Sequence, residues 1–149
     1  MIGEEAELQR LSSRAEEAIA NGDADGASMN SGKAALMAGE LAKKQPHPSA
    51  ARLYRGAEAL FRGQEHAYRA LALFQRAGGQ PPASSGTCST MALAGKAVAQ
   101  SLGLLKPDAR DALDPQQVRE MERFRTMATD WVKTVEGMRQ DFQCPQDGP

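Results

Sequence analysis

The stretch Ser31-Gly32-Lys33 is the part of the chain that looks most like a phosphate-binding loop. A Walker loop places four residues between its two glycines, so that backbone N–H groups surround the phosphates. Here Gly26 and Gly32 are separated by five residues, and Ala34 stands where the loop needs a metal-binding Ser or Thr. No apolar strand precedes the stretch. The sequence therefore predicts no nucleotide site and no other cofactor.

The two histidines, His47 and His66, are the side chains that could bind a metal or act as a general base. They are far apart in sequence, and only Glu65 stands beside His66. A zinc site needs three or four such ligands, and nucleophilic catalysis needs a nucleophile paired with a base. We find neither set in the sequence. We expect surface histidines, no metal site, no catalytic residue and no enzyme activity.

Cys88 and Cys144 are the chain's two cysteines. The first lies at the start of a predicted helix, and the second lies just beyond the end of another. A bridge that closes so long a loop would stabilise the fold by on the order of 4 kcal/mol. We predict a disulfide, and with it an oxidising, extracytoplasmic compartment such as the periplasm. The alternative is two free thiols in the cytoplasm.

The charge balance gives no reason to expect a nucleic-acid partner. A net charge of -1 with 25% charged residues produces no global basic field. No apolar run approaches the roughly 20 residues that span a bilayer, and the N-terminal residues lack the pattern of a signal peptide. We therefore expect a soluble chain without a transmembrane segment. A lipid anchor or export signal upstream of residue 1 is left open.

The segment from Asp114 to Phe142 is predicted to be one long helix. Asp114 is a suitable N-cap, Pro115 fits the first helical position, and Gln117 completes a capping box. Steps of three and four residues place seven apolar residues on one helix face, which is expected to be core. They are Met121, Phe124, Ala128, Trp131, Val135, Met138 and Phe142.

Frequent alanine and few β-branched residues predict helices elsewhere as well. The periodicity places them at about residues 4–20, 25–44, 49–62, 64–77 and 89–102. In the second, Gly26 and Gly32 predict a frayed or late start, and Met29, Leu36, Met37 and Leu41 form the apolar face. A turn at Gly63 makes the third and fourth an antiparallel hairpin. We predict an all-α single domain, residues 1–149, of five to seven antiparallel helices, repeat-like and closed by the long C-terminal helix.

The stretch from Arg52 to Pro82 resembles a tetratricopeptide repeat, in which small and large apolar residues alternate along two helices. Glu58 and Glu65 depart from the pattern, because the family usually has small residues there. The resemblance covers one unit, about a fifth of the chain. The matching positions are Tyr54, Ala57, Phe61, Ala67, Ala70, Phe74, Ala77 and Pro82.

This resemblance implies a groove that binds an extended peptide, with the first helix of the hairpin facing it. Arg52, Arg55 and Arg62 lie on that helix face. A guanidinium can bind a carboxylate through two hydrogen bonds. We therefore predict that these arginines point outward together and bind an acidic segment of another protein.

Two functions of different classes fit a helical domain without visible chemistry. The first is a non-enzymatic adaptor or assembly protein, in general character like the pilot proteins of bacterial envelope machines, which is an analogy of fold only. The second is a specific inhibitor or immunity-type protein that blocks a toxin or enzyme. An adaptor should bind a short linear segment, whereas an inhibitor needs a folded partner.

Overall fold

The computed structural model describes residues 2–145, and five helices make up most of that range. No strand occurs in these residues, and the prediction of an all-α fold with a long C-terminal helix is confirmed. The helices are α1 (Ile2–Ala20), α2 (Ala24–Lys44), α3 (Pro48–Arg76), α4 (Ser85–Leu104) and α5 (Pro115–Asp141).

The first three helices alternate in direction, as ion pairs between their ends show. Lys44 Nζ at the end of α2 lies 2.7 Å from Glu4 Oε2 at the start of α1. Arg76 at the end of α3 similarly pairs with Asp25 at the start of α2. Helices α1 and α3 therefore point in the same direction. Helix α3, 29 residues long, packs against α2, α4 and α5 and is the central helix of the fold.

Three pairs of aromatic rings join α3 to α5. The pairs follow each other in the same order along both helices, so these two helices are parallel. Edge-to-face and stacked ring pairs contribute about 0.5–1.5 kcal/mol each beyond the area they bury. The centroid distances are 6.0 Å for Phe61 with Phe124, 5.3 Å for Tyr68 with Trp131 and 4.3 Å for Phe74 with Phe142.

The predicted apolar face of α5 does form core. Five of its seven residues are buried, while Trp131 and Met138 are half-buried. Trp131 packs against all three clusters of buried apolar residues, so its ring joins them although one side is exposed. The capping box is present as well. Asp114 Oδ1 accepts from the Gln117 N–H at 2.8 Å, and Gln117 Oε1 accepts from the Asp114 N–H at 3.1 Å.

The predicted turn at Gly63, and with it the antiparallel hairpin, is wrong. Helix α3 continues through Gly63 without a break. Gly63 is buried against α4, where a Cβ atom would lie 2.6 Å from Val98 Cγ2. Gly56, one heptad earlier, faces Leu105 in the same way. These glycines allow α3 and α4 to pack closely. The close packing offsets the loss of about 1 kcal/mol in helix propensity at each glycine.

The expected late start of α2 is also wrong. Asp23 caps the helix, because its Oδ1 accepts from the Gly26 N–H at 2.9 Å. Gly32 is buried beneath the Glu65 side chain, where a Cβ atom would lie 2.5 Å from Glu65 Oε2. Glycine at this position therefore makes room for a side chain of α3 and does not weaken the start of α2.

Helix α4 begins at Ser85, four residues before the predicted start, because Ser84 caps it. The Ser84 Oγ accepts from the Thr87 N–H at 3.1 Å. Cys88 consequently lies in the first turns of α4, and Cys144 lies just beyond the end of α5. The two sulfur atoms are at bonding distance, and the Cα atoms are 5.5 Å apart. A disulfide at this end of the molecule would join the two helices.

We expect Gly63→Ala to destabilise the protein by about 1–3 kcal/mol, as overpacking of a tight core contact does. Gly103→Ala is the matched control, since Gly103 is an exposed glycine in α4 with no atom within 4 Å of an added Cβ. That change should stabilise by up to about 1 kcal/mol through helix propensity. Urea denaturation measures both. Equal effects of the two changes would contradict the close α3–α4 contact.

We also predict that Cys88 and Cys144 are bonded in the mature protein. Thiol titration of the unfolded, unreduced chain should then find no free thiol. Cys88→Ala combined with Cys144→Ala should lower the free energy of unfolding by about 4 kcal/mol, because the unfolded chain regains the freedom of a long loop. Two titratable thiols per chain would show that the bridge does not form.

Candidate functional site

The outer face of α2 carries two large apolar side chains. Met29 is 58% exposed and Leu36 is 61% exposed, one heptad apart on the same ridge. An open groove of about 560 Å³ lies between α2 and α3, and another of about 370 Å³ lies between α1 and α2. The sequence had placed both residues on the core side of α2. That part of the prediction is wrong, whereas Leu41 is buried as predicted.

Small residues form the buried face of α2. Their short side chains let α2 approach α3 closely, which leaves no room between the helices for Met29 or Leu36. The fully buried alanines are Ala27, Ala34, Ala35 and Ala38. The two large side chains therefore point outward because of how α2 packs.

Glu65 of α3 organises the wall of the groove between α2 and α3. Its side chain is only 15% exposed and lies over Gly32 of α2. Its carboxylate accepts from Arg62 Nη1 at 2.8 Å and lies 3.5 Å from Arg69 Nη2. The Ser28 hydroxyl donates to the Glu65 backbone carbonyl at 3.0 Å. One poorly solvated carboxylate thus holds two arginines at the groove.

Cations outnumber carboxylates in this groove, which we call the basic groove. Its charged lining is Lys33, Arg62, Arg69 and Arg76 against Asp25 and Glu65. The Arg76–Asp25 pair, at 2.8 Å, is exposed on both sides, and such pairs contribute little to stability. Since the whole chain carries a net charge of -1, the groove opposes the overall charge in sign.

Arg52, the first predicted partner-binding residue, is engaged within the protein. Its Nε donates to the Leu104 carbonyl at 2.9 Å, and its Nη2 donates to the Lys106 carbonyl at 3.3 Å and to Asp111 Oδ2 at 2.7 Å. The hydrogen bond from Arg52 lowers the pKa of Asp111. Arg52 therefore fastens the connection between α4 and α5, and the expectation that it points freely outward is wrong.

The other two predicted arginines also differ from each other. Arg62 lines the basic groove, while Arg55 is exposed and forms no hydrogen bond or ion pair within residues 2–145. The three guanidiniums therefore do not form one cluster. Sequence reasoning missed Arg69 and Arg76, although they follow Arg62 at successive intervals of seven residues, which was a usable signal for a shared helix face.

The two histidines have different surroundings. His47 is exposed and caps α3, where its Nδ1 accepts from the Ser49 N–H at 3.1 Å. His66 is half-buried, its Nδ1 has no hydrogen-bond partner among the described residues, and burial lowers its pKa. The prediction of a surface histidine therefore fails for His66. No three His, Cys, Asp or Glu side chains come together as a metal site within residues 2–145.

No protein-family model, no curated protein and no solved structure matches this chain. The family resemblance of residues 52–82 to a tetratricopeptide repeat stays a prediction, although residues 52–76 lie in one helix where the repeat has two. In the described part of the chain, none of the helices is both long enough and apolar enough to cross a membrane.

The Arg52–Asp111 pair predicts a pH-dependent contribution to stability. Because the folded protein lowers the pKa of Asp111, this contribution is present above the unfolded pKa of about 3.9 and is lost as pH falls through the folded value. At pH 7, Asp111→Asn should cost about 1–2 kcal/mol through a weakened charged hydrogen bond.

Denaturant titration between pH 7 and pH 2.5 measures this difference between the wild type and Asp111→Asn. The difference should shrink as pH falls below the unfolded value, because the wild-type carboxyl then begins to take up a proton and the charged pair is lost. Asp130→Asn, on the exposed face of α5, is the control and should track the wild type throughout. A difference for Asp111→Asn that does not change with pH would rule out the ion pair as its cause.

Proposed function

We propose that this chain is a non-enzymatic adaptor or assembly protein that binds a partner protein on the outer surface of α2. This α2 surface consists of Met29, Lys33 and Leu36 with the arginines of the basic groove beside them. The observation that carries the proposal is the exposure of two large apolar side chains on a helix that buries alanine. Burying a Met or Leu side chain would contribute about 1.5–3 kcal/mol, and α2 forgoes that gain twice.

The residue types on the α2 surface favour a protein partner. Methionine and arginine are enriched in protein–protein interfaces, while single exposed apolar residues are common elsewhere. Met29 and Leu36 form a pair along one ridge, each next to an open groove, with Lys33 between them. Among the described residues lining these grooves there is no aromatic ring on which a nucleic-acid base could stack.

We further propose that the protein works in an oxidising compartment such as the periplasm. The support is the position of Cys88 and Cys144, whose sulfur atoms lie at bonding distance. Structural disulfides persist outside the reducing cytoplasm. The alternative location is the cytoplasm, with both thiols reduced.

The proposal can be tested by placing a photo-crosslinking residue at position 29 or 36 in cells that produce the protein. We expect a specific crosslinked adduct at these sites. Position 93 is the control, because Leu93 is 50% exposed but lies on α4. Arg69→Glu combined with Arg76→Glu should reduce the adduct roughly tenfold, as the loss of about 1.4 kcal/mol of binding would. The melting temperature should fall only modestly, because both arginines are exposed and Arg62 still pairs with Glu65; the unfolding transition of the variant is measured beside the adduct.

Absence of adducts at positions 29 and 36, or equal adducts at position 93, would refute the proposed surface. The location of the crosslinks on the partner separates the two functional classes. Crosslinks confined to one short segment support an adaptor. Crosslinks spread around the active site of a folded toxin or enzyme would support an inhibitor instead.

A further inference from the structure

The apolar and basic residues of the α2 surface form two rows with the same period. Met29 and Leu36 on α2 are seven residues apart, and so are the successive arginines of the basic groove on α3. Seven residues of an α-helix correspond to about 10.5 Å. Because α2 and α3 are antiparallel neighbours, the two rows run alongside each other, and the arginine row extends over about 21 Å.

We infer that the occupant of the basic groove is an acidic amphipathic helix of the partner protein. Its apolar residues would pack on Met29, Leu36 and the groove residue Leu73, and its carboxylates would pair with Arg69 and Arg76. This inference rests on the proposed function, because it specifies the partner of the same surface.

The spacing of the rows favours a helix over an extended segment. A helix that follows α2 presents same-face residues every seven positions, which matches the distance between Met29 and Leu36. Along an extended strand, residues three positions apart are separated by about 10 Å, and their side chains point to opposite faces. A strand therefore cannot place same-face side chains at this interval.

The polar groups of the groove also favour a helix. The central backbone groups of α2 and α3 are already bonded within their helices, so they cannot pair with a strand. The hydroxyl of Ser28, which lines the groove, is also engaged, because it donates to the Glu65 carbonyl at 3.0 Å. A helix brings its own backbone hydrogen bonds and needs only side-chain contacts.

The charge of the groove indicates that the helix is acidic. Arg62 and Arg69 share the single carboxylate of Glu65, so their positive charge is only partly neutralised. Arg76 pairs with Asp25, which is 68% exposed, and a partner carboxylate could replace that contact. Lys33 forms no ion pair within the described residues. Carboxylates on the incoming helix would complete these pairs.

A display library of random 21-residue peptides, selected on the intact oxidised protein, tests the inference. Met29→Asp combined with Leu36→Asp serves for counter-selection. The enriched peptides should carry apolar residues at steps of three and four, flanked by Asp or Glu. A synthetic peptide of the enriched sequence should gain helical circular dichroism on binding and bind the Arg69→Glu, Arg76→Glu variant at least tenfold more weakly. Replacing its acidic residues by Lys should restore binding to that variant.

A basic, proline-rich or alternating consensus would overturn the inference, as would the lack of any consensus or an affinity unchanged by charge reversal. Self-association of the wild type in light scattering, lost in Met29→Asp, would assign the surface to a second copy of this chain instead. Crosslinks at position 29 to a partner without such a helix would remove this inference alone. Lack of crosslinks at positions 29 and 36 would remove the proposed function.

Discussion

Helix α3 has to pack against α2, α4 and α5 at once, and the size of its side chains on each face determines how it does so. Towards α4 it presents glycine, so that Val98 and Leu105 lie close to its backbone. Towards α5 it presents aromatic rings, which fill a wider gap. A helix that packs on several sides needs small residues on one face and large residues on another, because a closely packed interior tolerates neither voids nor overlap. Helix α3 continues through Gly56 and Gly63 because Leu105 and Val98 pack against these glycines.

The contact between α3 and α2 links the fold to the candidate binding surface. Small residues on α2 bring the two helices so close that Glu65 of α3 lies over Gly32 and is largely shielded from water. A carboxylate removed from water needs compensating charge. Arg62 and Arg69 provide it at the rim of the interface. The basic wall of the groove is therefore a consequence of how α2 and α3 pack, and the exposed Met29 and Leu36 are another.

Local signals in the sequence predicted α5 within one residue at each end, because a capping box and a repeated apolar spacing are chemistry between near neighbours. Gly63 was misread for the opposite reason. Whether a glycine ends a helix or admits a neighbour depends here on Val98, which is distant in sequence. Met29 and Leu36 were misassigned because hydrophobicity ranks them above alanine, whereas the α2 face that packs on α3 consists mainly of small residues.

The arginines illustrate the same limit at the candidate site. The sequence placed Arg52 and Arg62 on one helix face, which holds for the backbone of α3. It could not show that the connection after α4 folds over Arg52 and supplies two carbonyls and a carboxylate. Long side chains reach several ångströms beyond their helix, so neighbours from remote segments decide what they bind. The helix face of a residue can be predicted locally, whereas its partner cannot.

The cysteine-bearing end of the bundle and the basic groove are connected through the rings between them. Cys144 follows Phe142, which is buried, stacks on Phe74 and accepts a hydrogen bond from the Ala83 N–H at its carbonyl. Phe74 lies two residues before Arg76, the last arginine of the groove. A bond that holds Cys144 to α4 therefore also restrains the final turn of α3. Arg62, four turns earlier and fixed by Glu65, does not depend on that restraint. One end of the groove is thus set by helix packing, and the predicted disulfide would support the other end.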